Sequence, residues 1–376
     1  MKIGIVTENY YPTVGGIQEH VRHLGQWLVA NGHDYRVLTG MPTVETWRGP
    51  QDDERVIRVG KARRYGVMGT YTQVTFGPGI ATRLGSSLRR EKFDLLHLHN
   101  PGDFGIQFLA HTLWRGPIVA TWHTTFKQTL IRRLLKPYYK WVLGRMDEII
   151  AVSDLAADTM RRFADLNYRV IPNGVDTHAF AAGKPQPRFM DGSRNIVYLG
   201  RLEPRNGPDL LFDAMPAILE KIPDARLIVA GSGPNGTAEY EQLVPSVARG
   251  RVQFLGSVSN EERADILKSG NVFVVPARKG GTFSILVLEG LAAGLPVVST
   301  PFVEKHHRDS HWSPVMLTDD FSPEAIARRV VEALTTDQTG RVRHGLETVA
   351  EYDWERVAPR VAEVYQIAID RKRNAE

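Results

Sequence analysis

The chain has 376 residues and a mass of 42.1 kDa, more than one hydrophobic core comfortably supports, so a lone small binding module is excluded and two domains are expected. Hydrophobic residues at 42% and charged residues at 24% exclude a disordered chain and a rod, and zero cysteines exclude disulfides, thiolate nucleophiles and cysteine-held zinc or iron–sulfur centres. The net charge of +5 is uneven: residues 1–200 carry 26 Lys and Arg against 17 Asp and Glu, and the remainder 21 against 25, so only the first half has the field to attract a polyanion.

Met1-Lys2-Ile3-Gly4-Ile5-Val6 lacks the apolar core and cleavage site of a signal peptide, and no later run reaches the ~18 apolar residues of a membrane span, so a cytoplasmic protein is expected. Lys2–Val6 reads as a strand, and Ile17, Val21, Leu24 and Leu28 keep helical spacing after it. Tyr35–Leu38, Leu95–His99, Ile118–Thr121, Glu148–Val152 and Tyr168–Ile171 continue the strands of an α/β domain over residues 1–172, a doubly wound parallel sheet with helices on both faces. Residues 173–194, with Asn173-Gly174 and Gly183-Lys184-Pro185-Gln186-Pro187, have the Gly, Pro and Asn content of a linker. Strands resume at Asn195–Leu199, Arg226–Ala230, Val252–Leu255, Val272–Pro276 and Pro296–Ser299, with helices at Asp209–Ile222 and Ile285–Ala293, which gives a second such domain over 195–353. Two Rossmann-like domains in series are expected to face a ligand cleft at the carboxyl ends of their strands.

Four places in this pattern suit chemistry. Gly15-Gly16 sits at a strand-to-helix turn, where glycine lets the backbone approach a ligand and the helix amino terminus offers N–H groups to an anion; a tight turn is the equal alternative. His123 follows a strand at the end that points into the expected cleft, where an imidazole can bond a sugar hydroxyl or shuttle a proton. Arg201 follows the first strand of the second domain and suits a diphosphate through bidentate bonds, unless it is a surface arginine at a turn. Glu289 is the one acid on the apolar helix Ile285–Ala293, fit to accept bonds from two vicinal ribose hydroxyls or to form an ion pair.

Together Gly15-Gly16, the His123 segment, Ile171-Pro172-Asn173-Gly174-Val175-Asp176, Gly200-Arg201 and Glu289 through Pro296-Val297-Val298 resemble glycosyltransferase family 4, retaining enzymes of the GT-B fold, over nearly the whole chain. The resemblance implies an enzyme that transfers a hexose, first of all mannose from GDP-mannose, from a nucleoside diphosphate sugar to a membrane-associated, phosphatidylinositol-like acceptor, without a metal or other cofactor. It implies catalytic roles for His123 and Arg201. Donor contacts would come from Gly15, Gly16, Arg201, Ser284, Ile285, Leu286 and Glu289, and from positions 206 and 281. The last two depart from the family pattern: Asn206 stands for a lysine and Gly281 for a glutamate, with Arg205, Arg278 and Lys279 as candidates to make up the lost charge. A homologue that binds nucleotide or lipid without turnover is the second reading. The resemblance also implies that the helical tail, residues 354–376, crosses back onto the first domain.

Leu130–Leu143 mixes cations with leucines and aromatics, and Arg83, Arg89, Arg90 and Lys92 form a second basic cluster; with the resemblance, they suit the anionic inner face of a membrane. Lys61, Arg63 and Arg64, in an irregular stretch after a strand, are candidates for an acceptor phosphate, as is Gln18 beside the glycine turn. His306, His307 and His311 have no zinc-ligand spacing, and a loop is expected there. No recognition module supports a nucleic-acid partner.

Overall fold

Short apolar runs bounded by turn residues become the strands of two sheets in a computed structural model, which describes every residue except 12–14, 42–53, 68–69, 103–104, 125–133, 234, 279–284, 303–312 and 375–376, and only the backbone at 64–67 and 70–72. One unit comprises Met1–Gly174 with Trp354–Glu376, the other Val175–Asp353.

The first unit holds eight strands: β1 (Lys2–Val6), β2 (Asp34–Met41), β3 (Val56–Val67), β4 (Thr70–Phe76), β5 (Leu95–His99), β6 (Ile118–Trp122), β7 (Glu148–Ala151) and β8 (Arg169–Val170). Their order is β4-β3-β2-β1-β5-β6-β7-β8, all neighbours parallel except β3 and β4. Strands β1, β5, β6 and β7 read as near-continuous apolar runs because both of their faces are covered: Ile3, Ile5, Leu95, Val119 and Ile150 bury one face against the helix Gly16–Ala30, through Val21, Leu24 and Leu28, and against the helix Trp354–Arg373. That last helix buries residues 354, 357, 358, 361, 364, 365, 368 and 369, the 3-and-4 spacing of one apolar stripe, and each large side chain so buried contributes about 1.5–3 kcal/mol.

The second unit has six parallel strands, β9 (Arg194–Leu199), β10 (Ala225–Ala230), β11 (Val252–Gly256), β12 (Val272–Val275), β13 (Val297–Ser299) and β14 (Val315–Leu317), in the order β11-β10-β9-β12-β13-β14. Helices Pro208–Lys221 and Pro323–Thr335 cover one face with Leu211, Phe212, Met215, Ile326 and Val330.

Two differences from the sequence reading have physical causes. The stretch holding Lys61, Arg63 and Arg64 is not irregular but the middle of β3, paired antiparallel to β4 with Lys61 opposite Phe76, Arg63 opposite Val74 and Arg64 opposite Gln73. Lys61 and Arg63 are exposed while Ala62 is buried between them, so the cations occupy the wet face of an edge hairpin, and Arg63 lies 5.4 Å over the Phe76 ring. Residues 173–194 do not stand apart as a linker either. Asn173 is buried within the first unit, whereas Phe189 is buried in the second, its carbonyl accepting from Asn195 Nδ2 at 2.7 Å and from Arg226 Nη2 at 3.1 Å. Gly and Pro mark turns there without marking a separation.

Candidate active site

In the first unit the site grows from the carboxyl ends of β1, β5 and β6. After β1 the chain enters the helix Gly16–Ala30 at Gly15, which has no side chain to cap the helix start with its first N–H groups and partial positive charge. Gln18 is buried and turns its side chain back to Gly15, where a Cβ would meet Oε1 at 2.9 Å.

His123 comes directly after β6, its main-chain N–H donating to Asn100 Oδ1 at 2.7 Å. Its ring does not stand alone. His123 Nε2 pairs with His99 Nδ1 at 2.8 Å, His99 and His97 project from one face of β5, and His20 packs edge-on to His123 with centroids 4.8 Å apart. His97 in turn bonds Thr121 Oγ1 at 2.6 Å and the Tyr365 hydroxyl at 2.7 Å. Burial pushes all four imidazoles down, His20 to about 4 and the other three well below the usual histidine range, with neighbouring histidines adding to the effect. Burial thus favours the neutral, hydrogen-bonding form of the ring at position 123.

His20, His99 and His123 each bring a ring nitrogen within 4.8 Å of the others, so among the described residues they form the one group with the composition of a metal site. Zinc ligated by two imidazoles at about 2.0–2.1 Å in tetrahedral geometry sets their nitrogens ~3.3 Å apart, wider than the 2.8 Å between His99 and His123, which is a hydrogen bond. The sequence signal for this cluster was the Leu95-Leu96-His97-Leu98-His99 alternation, which puts two histidines on one face of a buried strand.

In the second unit Gly200 leaves β9 with φ 141° and Arg201 follows, its side chain 53% exposed and 3.3 Å from Glu203. Glu203 also holds Arg205 at 2.7 Å. Asn206 donates to the Arg201 carbonyl at 2.8 Å and so braces the turn that carries Arg201. Arg278 is not a loose charge: its main-chain N–H donates to the Arg205 carbonyl at 2.9 Å, and its guanidinium binds both Asp209 oxygens. Ile285 and Leu286 open the helix Ile285–Ala292, and Glu289 on that helix is buried and ion-paired to Arg263 of the helix Asn260–Lys268, the ion-pair alternative of the sequence reading. Arg263 and Asp209 had no signal in the sequence, because each acts through a partner far away in the chain, Glu289 and Arg278. Gly281, Ser284, Lys279, His306, His307 and His311 lie outside the described residues.

The basic surfaces are built differently from one another. On the helix Ile80–Glu91, Leu84 and Leu88 are buried and Arg83, Arg89 and Arg90 exposed. On the helix Lys136–Leu143, Tyr139, Val142 and Leu143 are buried, but Trp141 is 46% exposed beside exposed Lys136 and Lys140, and Leu134 just before it is 73% exposed. Residues 130–133 of that segment lie outside the described residues. No helix among the described residues is long and apolar enough to cross a membrane.

Residues 14–179 match the family Glycosyltransferase Family 4 and residues 193–336 match Glycosyl transferases group 1. The phosphatidyl-myo-inositol mannosyltransferase of Mycolicibacterium smegmatis is 30% identical over 97% of this chain and 94% of its own. A glycosyltransferase from Rickettsia africae superposes with a TM-score of 0.76 at 15% identity, over 98% of both chains. Anabaena HepE in complex with UDP and glucose superposes with a TM-score of 0.70 at 15% identity, over 97% of this chain and 99% of its own. The structural likenesses show the GT-B fold, and the sequence match over nearly the full length shows the rest: the chain belongs to glycosyltransferase family 4 and is a glycosyltransferase.

Proposed function

We propose that this glycosyltransferase moves mannose from GDP-mannose to a phosphatidylinositol-like lipid at the inner face of a membrane, with retention at the anomeric carbon. The full-length similarity to a phosphatidyl-myo-inositol mannosyltransferase carries this reading. The exposed Trp141 and Leu134 beside Lys136 and Lys140 support a membrane surface, since basic faces with interfacial aromatics bind anionic headgroups.

In this reading Gly15 and Gly16 present main-chain N–H groups, and Arg201 a guanidinium, to the diphosphate. Glu289, oriented by Arg263, grips the ribose, and the start of the helix Ile285–Ala292, with Ser284, Ile285 and Leu286, supplies main-chain groups. His123 bonds the transferred sugar, and Gln18, Lys61, Arg63 and Arg64 meet the acceptor. The acceptor oxygen bonds to the anomeric carbon on the face that the diphosphate leaves, the bond from that carbon to the phosphate oxygen breaks, and the acceptor proton passes to the departing diphosphate. The scheme asks for positioning and charge stabilisation and for no metal or other cofactor.

The experiment is a donor panel presented with vesicles containing phosphatidylinositol. GDP-mannose is expected to give a mannosylated lipid, and His123→Ala to reduce its formation at least a hundredfold; transfer from another donor in preference, or none from any, overturns the reading.

A further inference from the structure

The buried histidines around His123 pose a question that packing does not answer. An apolar residue would fill the place of His99 without leaving polar atoms to satisfy, yet His99 is buried, and among the described residues neither its Nε2 nor that of His20 has a partner. What these rings do have are bonds directed inward. His99 reaches His123 from β5 at 2.8 Å, and Asn173 bonds, at 3.0 Å, Nδ1 of His20, whose ring packs edge-on against His123 with centroids 4.8 Å apart. Asn173 Oδ1 can only accept, so His20 donates through Nδ1.

Asn173 owes its inward aim to its neighbour. A Cβ on Gly174 would stand 2.5 Å from the Trp354 ring, and Trp354 packs edge-on against His20 with centroids 5.1 Å apart, so the helix Trp354–Arg373 closes directly over this turn and only glycine lets it. The Asn173-Gly174 pair, which reads as turn vocabulary in the sequence, is a buried fixture of the histidine cluster.

We propose that His99 and Asn173 are positioning residues for His123: His99 bonds its ring directly and Asn173 fixes the His20 ring packed against it, so that the His123 ring keeps one orientation and one tautomer. The proposal rests on the reading that His123 bonds the transferred sugar. The torsion that turns an imidazole about its Cβ–Cγ bond is broad, so a single bond leaves the ring free to swing, while a bond from β5 together with the His20 ring packed edge-on against it fixes it. A fixed ring lowers the reorganisation needed when sugar arrives, which appears in turnover and not in nucleotide binding.

The test uses the full chain with His99→Ala, His99→Asn and Asn173→Ala. His99→Ala and Asn173→Ala are expected to lower kcat more than tenfold with the Kd for GDP within twofold of the parent. His99→Asn, whose amide lies where Nδ1 stood, is expected to recover to within about threefold. A folded His99→Ala with kcat within twofold, a parallel loss of GDP affinity, or an asparagine variant no better than alanine overturns the proposal. Ring nitrogen spectra decide it independently of turnover: the parent should show His123, assigned by its loss in His123→Gln, as a single neutral tautomer, and His99→Ala should show an exchanging mixture. An unchanged His123 signal in His99→Ala overturns the clamp, whereas a parent that transfers no sugar overturns only the function on which it rests.

Discussion

Arg278 grips Asp209 with two hydrogen bonds of 2.6 Å, so one of the cations suggested in place of the family lysine at position 206 is already neutralised by a partner on its own unit. Arg205 is likewise held by Glu203. In the proposed function it is Arg201, itself 3.3 Å from Glu203, that the turn after β9 offers to the diphosphate.

Asn206→Lys should tighten binding of a nucleoside diphosphate about tenfold, or about 1.4 kcal/mol, and steepen its dependence on salt. Calorimetric titration with GDP at low and high salt measures both. Unchanged binding would place position 206 out of reach of the phosphates, and weaker binding would show that the Asn206 bond to the Arg201 carbonyl matters more than the added charge.

The histidine cluster makes stability depend on pH with a definite sign. Fully buried His20 holds its pKa at about 4 against 6.5 in the unfolded chain, so as pH falls from 6.5 to about 4 the unfolded state takes up a proton that the folded state refuses. Stability is complete above pH 6.5 and declines toward pH 4, by on the order of 3 kcal/mol from this residue alone, with His97, His99 and His123 shifted the same way. Urea midpoints at pH 7.5 and pH 5 check the direction; equal midpoints, or a higher one at pH 5, contradict it.

Gly207 has φ 68°, and a Cβ there would lie 2.0 Å from the Pro276 carbonyl oxygen. Gly207→Ala is thus strained both by its own backbone and by its neighbour. A loss of about 2 kcal/mol or more is expected, seen as a melting temperature lower by roughly 4–8 °C for a unit of this size. Because the same turn carries Arg201, GDP binding should weaken as well. A variant as stable as the parent would show that the turn can relax.

The exposed Trp141 gives the membrane reading a direct check. Trp141→Ala combined with Lys136→Glu and Lys140→Glu should reduce binding to vesicles rich in anionic lipid at least fivefold, each cation near the headgroups contributing about 1 kcal/mol. GDP affinity should stay the same. Sedimentation with vesicles reads the first quantity, and equal sedimentation of parent and variant would assign this helix face another role.

The strand pattern was legible because the interior strands of parallel sheets are apolar on both faces: Ile3, Ile5, Leu95, Val119, Ile196, Val229 and Val274 all lie where alternation of short runs and helical spacing placed them. The β3–β4 hairpin was not, since Lys61 and Arg63 face water at a sheet edge, and a strand with one wet face and clustered cations resembles a loop in one dimension. The same limit applied to residues 173–194, where turn-forming residues marked changes of direction, while Phe189 and Asn173 show that the chain there is packed.

For the candidate site, His123, Arg201 and Glu289 could be singled out from their places after strands or on an apolar helix, which depend on local order alone. Their partners could not. His99 meets His123 because β5 and β6 are neighbours in register, Arg263 meets Glu289 because two helices pack side by side, and Asn173 turns inward because Trp354 returns over Gly174. Periodicity along the chain dictates which residues leave water, and so which elements form. Which buried polar atoms find one another depends on contacts between segments far apart in sequence, and those arise only when the sheets and helices close on each other.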